Sequence, residues 1–474
     1  MTASFEKMLE EFKKAVDDLK DHYKEKSVRV ITHNDADGIS SGAIVHKALL
    51  REGIGVVTTC VKQLDENILS DLVKDDPEIV VFTDIGSGQL RDISSKLGGN
   101  CQVIILDHHQ PSDFYVEEID HLNPHPWGID GAREVSGSGM TYFFAKVMNP
   151  KNIDLSTLAI VGAIGDIQDA DGRLVGLNEL IVKDGVTAGV LKVEKDLRLF
   201  GRQTRPLYKA LEYTTEPFIP GLSGSESSCI QFLSDLDIPV KKNEEYTMLA
   251  DLTRDERKRL VTALILKMIE HKIPPKTAEN IVGDVFTFLQ EEKRTPLRDA
   301  KEYATLLNAC GKNEDFSIGI AVCLGDRGNI YHRSLDLLSD HKNHISSCFE
   351  WISDNMNKIK DGGPIYYFHA EGEINENILG TVTSMVLNSR VLEPLKPVIG
   401  LTYTDEGKVK VSARGNKELI ERGLNLGKAM MLSAEKVGGS GGGHDIAAGA
   451  QIDTGKEGEF IQTVVEIIKE QYDG

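Results

Sequence analysis

The chain has 474 residues, 40% of them hydrophobic and 27% charged, and a formal net charge of −20. That length exceeds one ordinary core and asks for two or three domains of a soluble globular protein, and no apolar run approaches the ~20 residues that span a bilayer. The acidic balance excludes a uniformly basic nucleic-acid coat but not a local basic groove, because metal-binding carboxylates inflate the negative count.

The first segment reads as an acidic amphipathic helix rather than a signal peptide. Phe5, Met8, Leu9, Phe12, Val16, Leu19 and Tyr23 keep helical spacing, which suits packing. Six cysteines (Cys60, Cys101, Cys229, Cys310, Cys323, Cys348) lie far apart. Such spacing argues against a zinc ribbon or disulfide framework and for a reducing cytoplasm.

From about 26 to 185, strands alternate with helical patterns, as in a doubly wound, mostly parallel α/β sheet. Residues 28–32 form an apolar run that leads into His33-Asn34-Asp35-Ala36-Asp37-Gly38. Residues 40–50 read as the next helix and 56–61 as a second strand. The run 79–83 ends at Asp84, and the run 103–106 ends at Asp107-His108-His109. Residues 136–144 read as a helix start with small capping residues. The apolar stretch 158–164, helix or strand, precedes Asp166 and Asp169.

In an open α/β sheet, residues just past the strands' carboxyl ends gather in one crevice. Carboxylates brought that close are costly unless a cation holds them. The pattern therefore predicts a metal site, for two ions. Asp35 and Asp37, two apart, point the same way on an extended segment, and Gly38 lets the chain turn into the helix. An Asp-x-Asp-Gly alone is as often a surface turn. His108 and His109 on an extended segment point opposite ways, one toward a metal and one toward substrate. Carboxylates with imidazole suit manganese or magnesium over a thiolate-preferring metal.

The stretch 192–209 carries Lys192, Lys195, Arg198, Arg202, Arg205 and Lys209, a nucleic-acid groove or a solvated helix face. From about 190 to 310 the pattern turns helical, with no alternation strong enough for a sheet. Thr253 and Glu256 form a capping box for a helix bearing Leu260, Ala263, Leu264 and Met268. Residues 317–324 look like a strand and 345–359 like a helix. After Gly362-Gly363-Pro364 comes a smaller α/β domain: strand 365–368, helix 378–387, strands 398–402 and 409–412, and a last helix 459–472. The expected domains are 1–190, 191–361 and 362–474. Gly441, Gly442 and Gly443, before His444, read as a flexible linker or as an anion-binding nest completed by Arg414.

Together Asp35-Ala36-Asp37-Gly38, Asp84, Asp107-His108-His109 and Asp166 resemble the four-motif signature of the DHH phosphoesterases. Those enzymes hold two divalent cations and hydrolyse phosphodiesters or pyrophosphate. Residues 378–384 (Ile378-Leu379-Gly380-Thr381-Val382-Thr383-Ser384), Lys396-Pro397-Val398-Ile399, Ser412-Ala413-Arg414-Gly415 and the glycine segment through Gly449 resemble the associated substrate domain of the RecJ branch. Pro296-Leu297-Arg298-Asp299-Ala300 and Leu307-Asn308-Ala309-Cys310-Gly311 resemble the archaeal RecJ-like group that includes the GINS-associated nuclease.

The resemblance implies that Asp84 bridges both ions, that Asp35 holds the first, and that Asp37, His108 and Asp166 hold the second. The family pattern places a histidine four residues before the first aspartate, where this chain has Ile31. His33, two before Asp35, would reach the first ion by a different loop path. Asp107 would orient an imidazole, His109 would contact the scissile phosphate, and Ser412, Arg414, Gly441, Gly442, Gly443 and His444 would grip the strand.

The implied activity is an exonuclease on single-stranded DNA from the 5′ end, or on RNA from the 3′ end, with Mn2+ or Mg2+. The implied partner is the GINS complex, through the middle region. The other reading is a replisome scaffold like the eukaryotic cell-division-cycle subunit of the replicative helicase, or a phosphodiesterase acting on oligoribonucleotides or cyclic dinucleotides. No Ser or Cys motif for covalent catalysis is present.

Overall fold

The computed structural model describes residues 2–23, 26–112, 114, 116–214, 217, 219–273, 275–388 and 396–473. The chain divides into two compact units, Met1–Leu338 and Ser339–Gly474.

The first unit opens with helix α1 (Thr2–His22). The core alternation follows: β1 (Val28–His33), α2 (Ala36–Arg51), β2 (Val56–Val61), α3 (Glu66–Lys74), β3 (Ile79–Thr83), α4 (Leu90–Leu97), β4 (Gln102–Leu106) and β5 (Ile119–Leu122). These strands form one parallel sheet in the order β2-β1-β3-β4-β5. Both faces are covered, which is why the strands read as continuous β-branched runs. Val28, Val30, Val81 and Ile104 pack into one core with α1, α2 and the helices α5 (Gly137–Met148) and α6 (Ser156–Gly165). Ile31, Val80, Phe82 and Ile105 point to the other face, against Leu69 and Leu72 of α3 and Ile93 and Leu97 of α4. Each such fully buried aliphatic side chain contributes roughly 1.5–3 kcal/mol.

Helix α7 (Leu177–Thr187) leads into β6 (Leu191–Leu197), then α8 (Leu207–Glu212), α9 (Glu226–Asp235), the hairpin β7 (Lys241–Lys242) and β8 (Glu245–Tyr246), α10 (Arg254–Glu270), α11 (Pro275–Glu279) and β9 (Val282–Phe288). Leu211, Cys229, Leu233, Leu260, Leu264 and Met268 form a separate small core. Thr253 and Glu256 make the predicted capping box at the start of α10. After these come α12 (Ala300–Lys312), α13 (Phe316–Leu324) and α14 (Asn329–Asp354).

Three expectations fail in this stretch. The region is mostly helical, yet β6 and β9 pair antiparallel along their whole length. Their partners lie some ninety residues apart, so no local alternation signals the pairing. The basic stretch is neither a groove nor a solvated helix face. It begins in β6, and its arginines are used internally: Arg202, itself buried, donates to Asp196 Oδ2 at 2.8 Å, and Arg198 pairs with Asp169. Residues 317–324 are helix α13, not a strand. An all-apolar run has no period to read, and Gly325, at φ 111°, closes the helix with a left-handed cap.

In the second unit, α14 continues to a 3-10 turn at Met356–Lys358. The sheet comprises β10 (Lys360–Asp361), β11 (Tyr366–His369), β12 (Val398–Tyr403), β13 (Lys408–Arg414), β14 (Ser440–Gly443) and β15 (Ala447–Asp453). Its order is β10-β11-β12-β13-β15-β14, antiparallel except between β11 and β12. Helices α15 (Leu379–Asn388), α16 (Lys417–Glu421), α17 (Leu426–Lys436) and α18 (Glu457–Asp473) complete the unit. The glycine segment is neither linker nor loop nest. It is the edge strand β14, paired with β15, where Gly441 faces Ala450 and Gly443 faces Ala448.

Candidate metal centre

The strand order turns between β1 and β3, because β2 lies on one side of β1 and β4 lies beyond β3. Such a switch point opens a crevice at the strands' carboxyl ends. His33 ends β1 and Asp35 follows it, Asp84 follows β3, and Asp107-His108-His109 follows β4. Asp166 caps the carboxyl end of α6.

Asp35 and Asp37 are not on a strand extension. Asp35 is the N-cap of α2, accepting from the Gly38 N–H at 2.9 Å, and Asp37 lies in the first helical turn. A cap and a first-turn acid suit the positive end of a helix. Asp37 crosses to the start of α5, where its two oxygens accept from the N–H groups of Gly137 at 2.7 Å and Ser138 at 3.0 Å. Asp84 sits at φ 58°, the left-handed region that aspartate tolerates better than most residues, while its N–H extends the ladder to Leu106.

The two oxygens of Asp84 face different groups. Oδ2 lies 3.7 Å from Nδ1 of His33, which is itself 2.9 Å from Asp35 Oδ2. Oδ1 lies 3.2 Å from Nε2 of His108, which is 3.3 Å from Asp166 Oδ2 and 3.7 Å from Asp37 Oδ2. His33, Asp35 and Asp84 form one potential cation-holding set, and Asp37, His108 and Asp166 form another. A third set is Asp84 with Asp107, His108 and His109.

His33 Nδ1, Asp84 Oδ1 and His108 Nε2 are buried, within ion-pair reach of their neighbours, yet engaged in no hydrogen bond. Buried polar atoms are rarely left this way, and here three converge. A divalent cation accepting oxygen and imidazole donors satisfies them, so the donor set fits the predicted ions.

The electrostatics agree. Burial, followed by the charges of Asp37 and Asp35, raises the Asp84 carboxyl well above its usual range. Burial and Asp37 push Asp166 up to about 7. Burial opposes the charge on His108, but Asp166, Asp37 and Asp107 raise its pKa nonetheless. For Asp35, burial is outweighed chiefly by the charge of the His33 imidazole beside it, and the carboxyl falls below the usual range. His33 rises in return.

Asp107 behaves differently. Its Oδ1 accepts from the N–H groups of His108 and His109 and from Nδ1 of His109, and its Oδ2 accepts from the Ser87 N–H. Those bonds outweigh burial and hold its carboxyl far below the usual range. The same bonds bend the chain, so the two imidazoles do not point opposite ways. Their ring centres lie 4.4 Å apart on one side. His108 donates through Nδ1 to the Gly131 carbonyl at 2.6 Å, which frees Nε2 for the cluster. His109 is half exposed. Burial opposes its charge, but the Asp107 hydrogen bond and carboxylate raise its pKa to about 9.

Several supporting residues lie outside the four motifs, with no role at the cluster expected from the sequence. Asn308 of α12 accepts from the Ala36 N–H at 2.9 Å, at the open start of α2. Gly311 lies so close to the same loop that a Cβ there would stand 1.8 Å from the Asn34 carbonyl oxygen. Asn123 donates to the His109 carbonyl, and His125 pairs with the His108 carbonyl. Asp169, bound to Arg198, lies outside the cluster.

In the second unit, Ser412 is buried on β13 between Gly400 and Gly449. Arg414 ends β13 opposite Ala447, whose carbonyl accepts from the His444 N–H. The Arg414 guanidinium donates to Ser384 Oγ at 3.1 Å and to the Ala413 carbonyl at 2.9 Å, and burial lowers its pKa. His444 is exposed, and Gly441–Gly443 lie on an edge strand, where backbone groups facing outward have no strand partner among the described residues.

Three domain families match the chain: the DHH family N-terminal domain over residues 27–164, the DHH-CID domain over 199–282 and the DHHA1 domain over 363–470. The protein MJ0831 of Methanocaldococcus jannaschii is 38% identical over 451 residues, covering 94% of each chain. RecJ of Thermus thermophilus, solved with Mn2+, superposes with a TM-score of 0.59 at 16% identity, over 97% of this chain and only 55% of its own. CDC45 of Entamoeba histolytica superposes with a TM-score of 0.64 at 14% identity, over 98% and 99%. With its motif aspartates gathered at the switch point and a RecJ- and CDC45-like fold, the chain belongs to the DHH family, in the form that joins DHH, DHH-CID and DHHA1 domains.

Proposed function

We propose that this protein is a divalent-cation-dependent exonuclease on single-stranded nucleic acid, acting on single-stranded DNA from the 5′ end. The observation that carries this reading is Asp84, whose two oxygens face two separate carboxylate–imidazole sets. Asp84 and Asp35, with His33, would hold one cation, and Asp84, Asp37, His108 and Asp166 the other. When bound, a pair of Mn2+ or Mg2+ ions lowers the pKa of water and offsets charge building on the phosphate.

The chain's own groups do the rest. The N–H groups at the start of α5 fix Asp37, and Gly131 fixes the His108 tautomer. His109, half exposed and oriented by Asp107, would hold a phosphate oxygen. Arg414, His444, Ser412 and the glycine edge strand Gly441-Gly442-Gly443, with the outward amides of Gly441 and Gly443, would grip the strand. The test is digestion of DNA and RNA strands labelled at either end, with Mn2+ or Mg2+ supplied. Release from the 5′ end of DNA that stops with Asp84→Ala supports the reading, and full activity in that variant overturns it.

The CDC45-like fold and the DHH-CID match favour a second role, as a replication-complex subunit bound to GINS through the middle region. Pull-down with GINS, using the full chain and variants of exposed residues on α9 and α10, tests it. Undiminished binding moves the interface elsewhere.

A further inference from the structure

At the opposite end of the helices that carry the metal cluster, the first unit contains a cavity of about 540 Å3. That volume suits a small-molecule ligand. Three of its walls belong to helices whose far ends build the cluster. Helix α2 presents Lys47 to the cavity, and its first turn carries Asp35 and Asp37, roughly 15–18 Å away at 1.5 Å per residue. Helix α6 presents Thr157 and Leu158 and is capped at its other end by Asp166. Helix α12 presents Tyr303 and, one turn and a half on, the Asn308 that accepts from Ala36.

The lining sorts into paired and unpaired groups. Glu291 is held by Arg327 at 2.5 Å, and Asp154 by Arg51 at 2.6 Å, so these acids are neutralised within the wall, and the remaining acid of the lining, Glu292, is exposed at the rim. Lys47 lies within the field of Asp154 but makes no ion pair of its own among the described residues, and burial lowers its pKa. Tyr303 is only 3% exposed, and apart from the weakly polar Cys323 thiol beside it, its hydroxyl has no hydrogen-bond partner among those residues. A buried phenol O–H without a partner is costly, and this one borders an open cavity. Its ring meets Phe288 edge-on at 6.4 Å, and buried Tyr331 lines the same space. Aromatic walls beside an unpaired ammonium and an unpaired hydroxyl select a ligand with a flat ring and a negative charge.

We propose that this cavity is an effector site for a nucleoside monophosphate, with the base among Phe288, Tyr303 and Tyr331 and the phosphate on Lys47 and the Tyr303 hydroxyl. The three shared helices make its occupancy a modifier of turnover at the cluster. The modifier part rests on the nuclease reading, of which such a nucleotide is the product; the binding part does not.

Calorimetry on the full chain in EDTA, titrated separately with dAMP, deoxyadenosine and inorganic phosphate, tests the binding. One dAMP site is expected, weakened about tenfold by Lys47→Gln and by the near-isosteric Tyr303→Phe, and unchanged by Asp84→Asn. No dAMP binding at millimolar concentration, or binding lost in Asp84→Asn but kept in Lys47→Gln, overturns the site. Inorganic phosphate binding as tightly as dAMP overturns the nucleotide assignment. In digests, dAMP should lower kcat without raising KM, and purely competitive inhibition overturns the modifier role. Binding in a protein with no turnover would instead fault the nuclease reading alone.

Discussion

In the N-terminal sheet all five strands run parallel, so the residues after β1, β3 and β4 emerge on one side and their charges meet. In the C-terminal sheet most neighbours run antiparallel, and its polar residues are spread along β13, β14 and β15 rather than gathered at one end. The first arrangement brings three buried polar atoms without hydrogen bonds to one point, whereas in the second unit such atoms, on His369, Ser433 and Tyr472, are scattered. The second ties Arg414 to Ser384 and Ala413 and leaves His444 in solvent. The parallel sheet thus gathers donors where a cation fits, whereas the antiparallel one spreads its polar groups. The first should respond to mutation in chemistry and stability together, the second in substrate affinity alone.

Asp84→Ala breaks the contrast most severely. Turnover should fall by about a thousandfold or more, since both cation sets lose their shared carboxylate. In Asp84→Asn, which keeps a side chain that tolerates the φ of 58°, the cation-free protein should nonetheless melt higher, because a buried like charge is gone. Digest rates and melting in EDTA check the two signs; a lower melting temperature would mean that Asp84 stabilises the fold itself.

Gly162→Ala comes next. A Cβ there would stand 2.1 Å from Asp37 Oδ1 and from Ser138 Oγ, so α6 or the carboxylate must move. Overpacking of this kind costs about 1–3 kcal/mol, and Mn2+ affinity measured by titration should fall by about ten- to a hundredfold. On the other sheet, Arg414→Gln should raise KM for a single strand by about tenfold and leave kcat near the parent value. An equal fall in kcat would place the arginine in the chemistry.

The smallest effect is on pH dependence. Asp166, raised to about 7, contributes stability that is present below the ordinary carboxyl range and lost as the pH climbs through 7. His109, raised to about 9, contributes stability that is present below the ordinary imidazole pKa and lost as the pH rises through 9. Both run the same way, so the melting temperature of the cation-free protein should decline by a few degrees between about pH 4 and 9. Added Mn2+ should recover more at the alkaline end.

Much of the first sheet was legible because its signals are local. Runs 56–61 and 79–83 match β2 and β3 to the residue, and Asp84 follows from its place after a buried strand. His33 stands at the end of β1 rather than on a loop, 2.9 Å from Asp35 Oδ2 and 3.7 Å from Asp84 Oδ2. What escaped depends on distant partners: β6 finds β9, the imidazole of His108 finds Gly131, and Ala36 finds Asn308. Helix α13 escaped for the opposite reason, since a run apolar on every side carries no period. The glycine segment misled because glycine favours loops, whereas here Gly441 is packed so closely that a Cβ would strike the Met430 carbonyl of α17.

The bond from Ala36 to Asn308 bears on where this protein can be cut. A fragment ending near 190 would keep every acid and imidazole of the cluster, and the whole segment that the DHH N-terminal domain matches. It would also lose the side chain that closes the open start of α2 and the helix that rests on the Asn34 loop. The shortest piece that retains cation affinity should therefore run to about 338, with α12 serving as a part of the cluster's unit that arrives late in the chain. During synthesis the start of α2 would lack its Asn308 partner until those residues emerge.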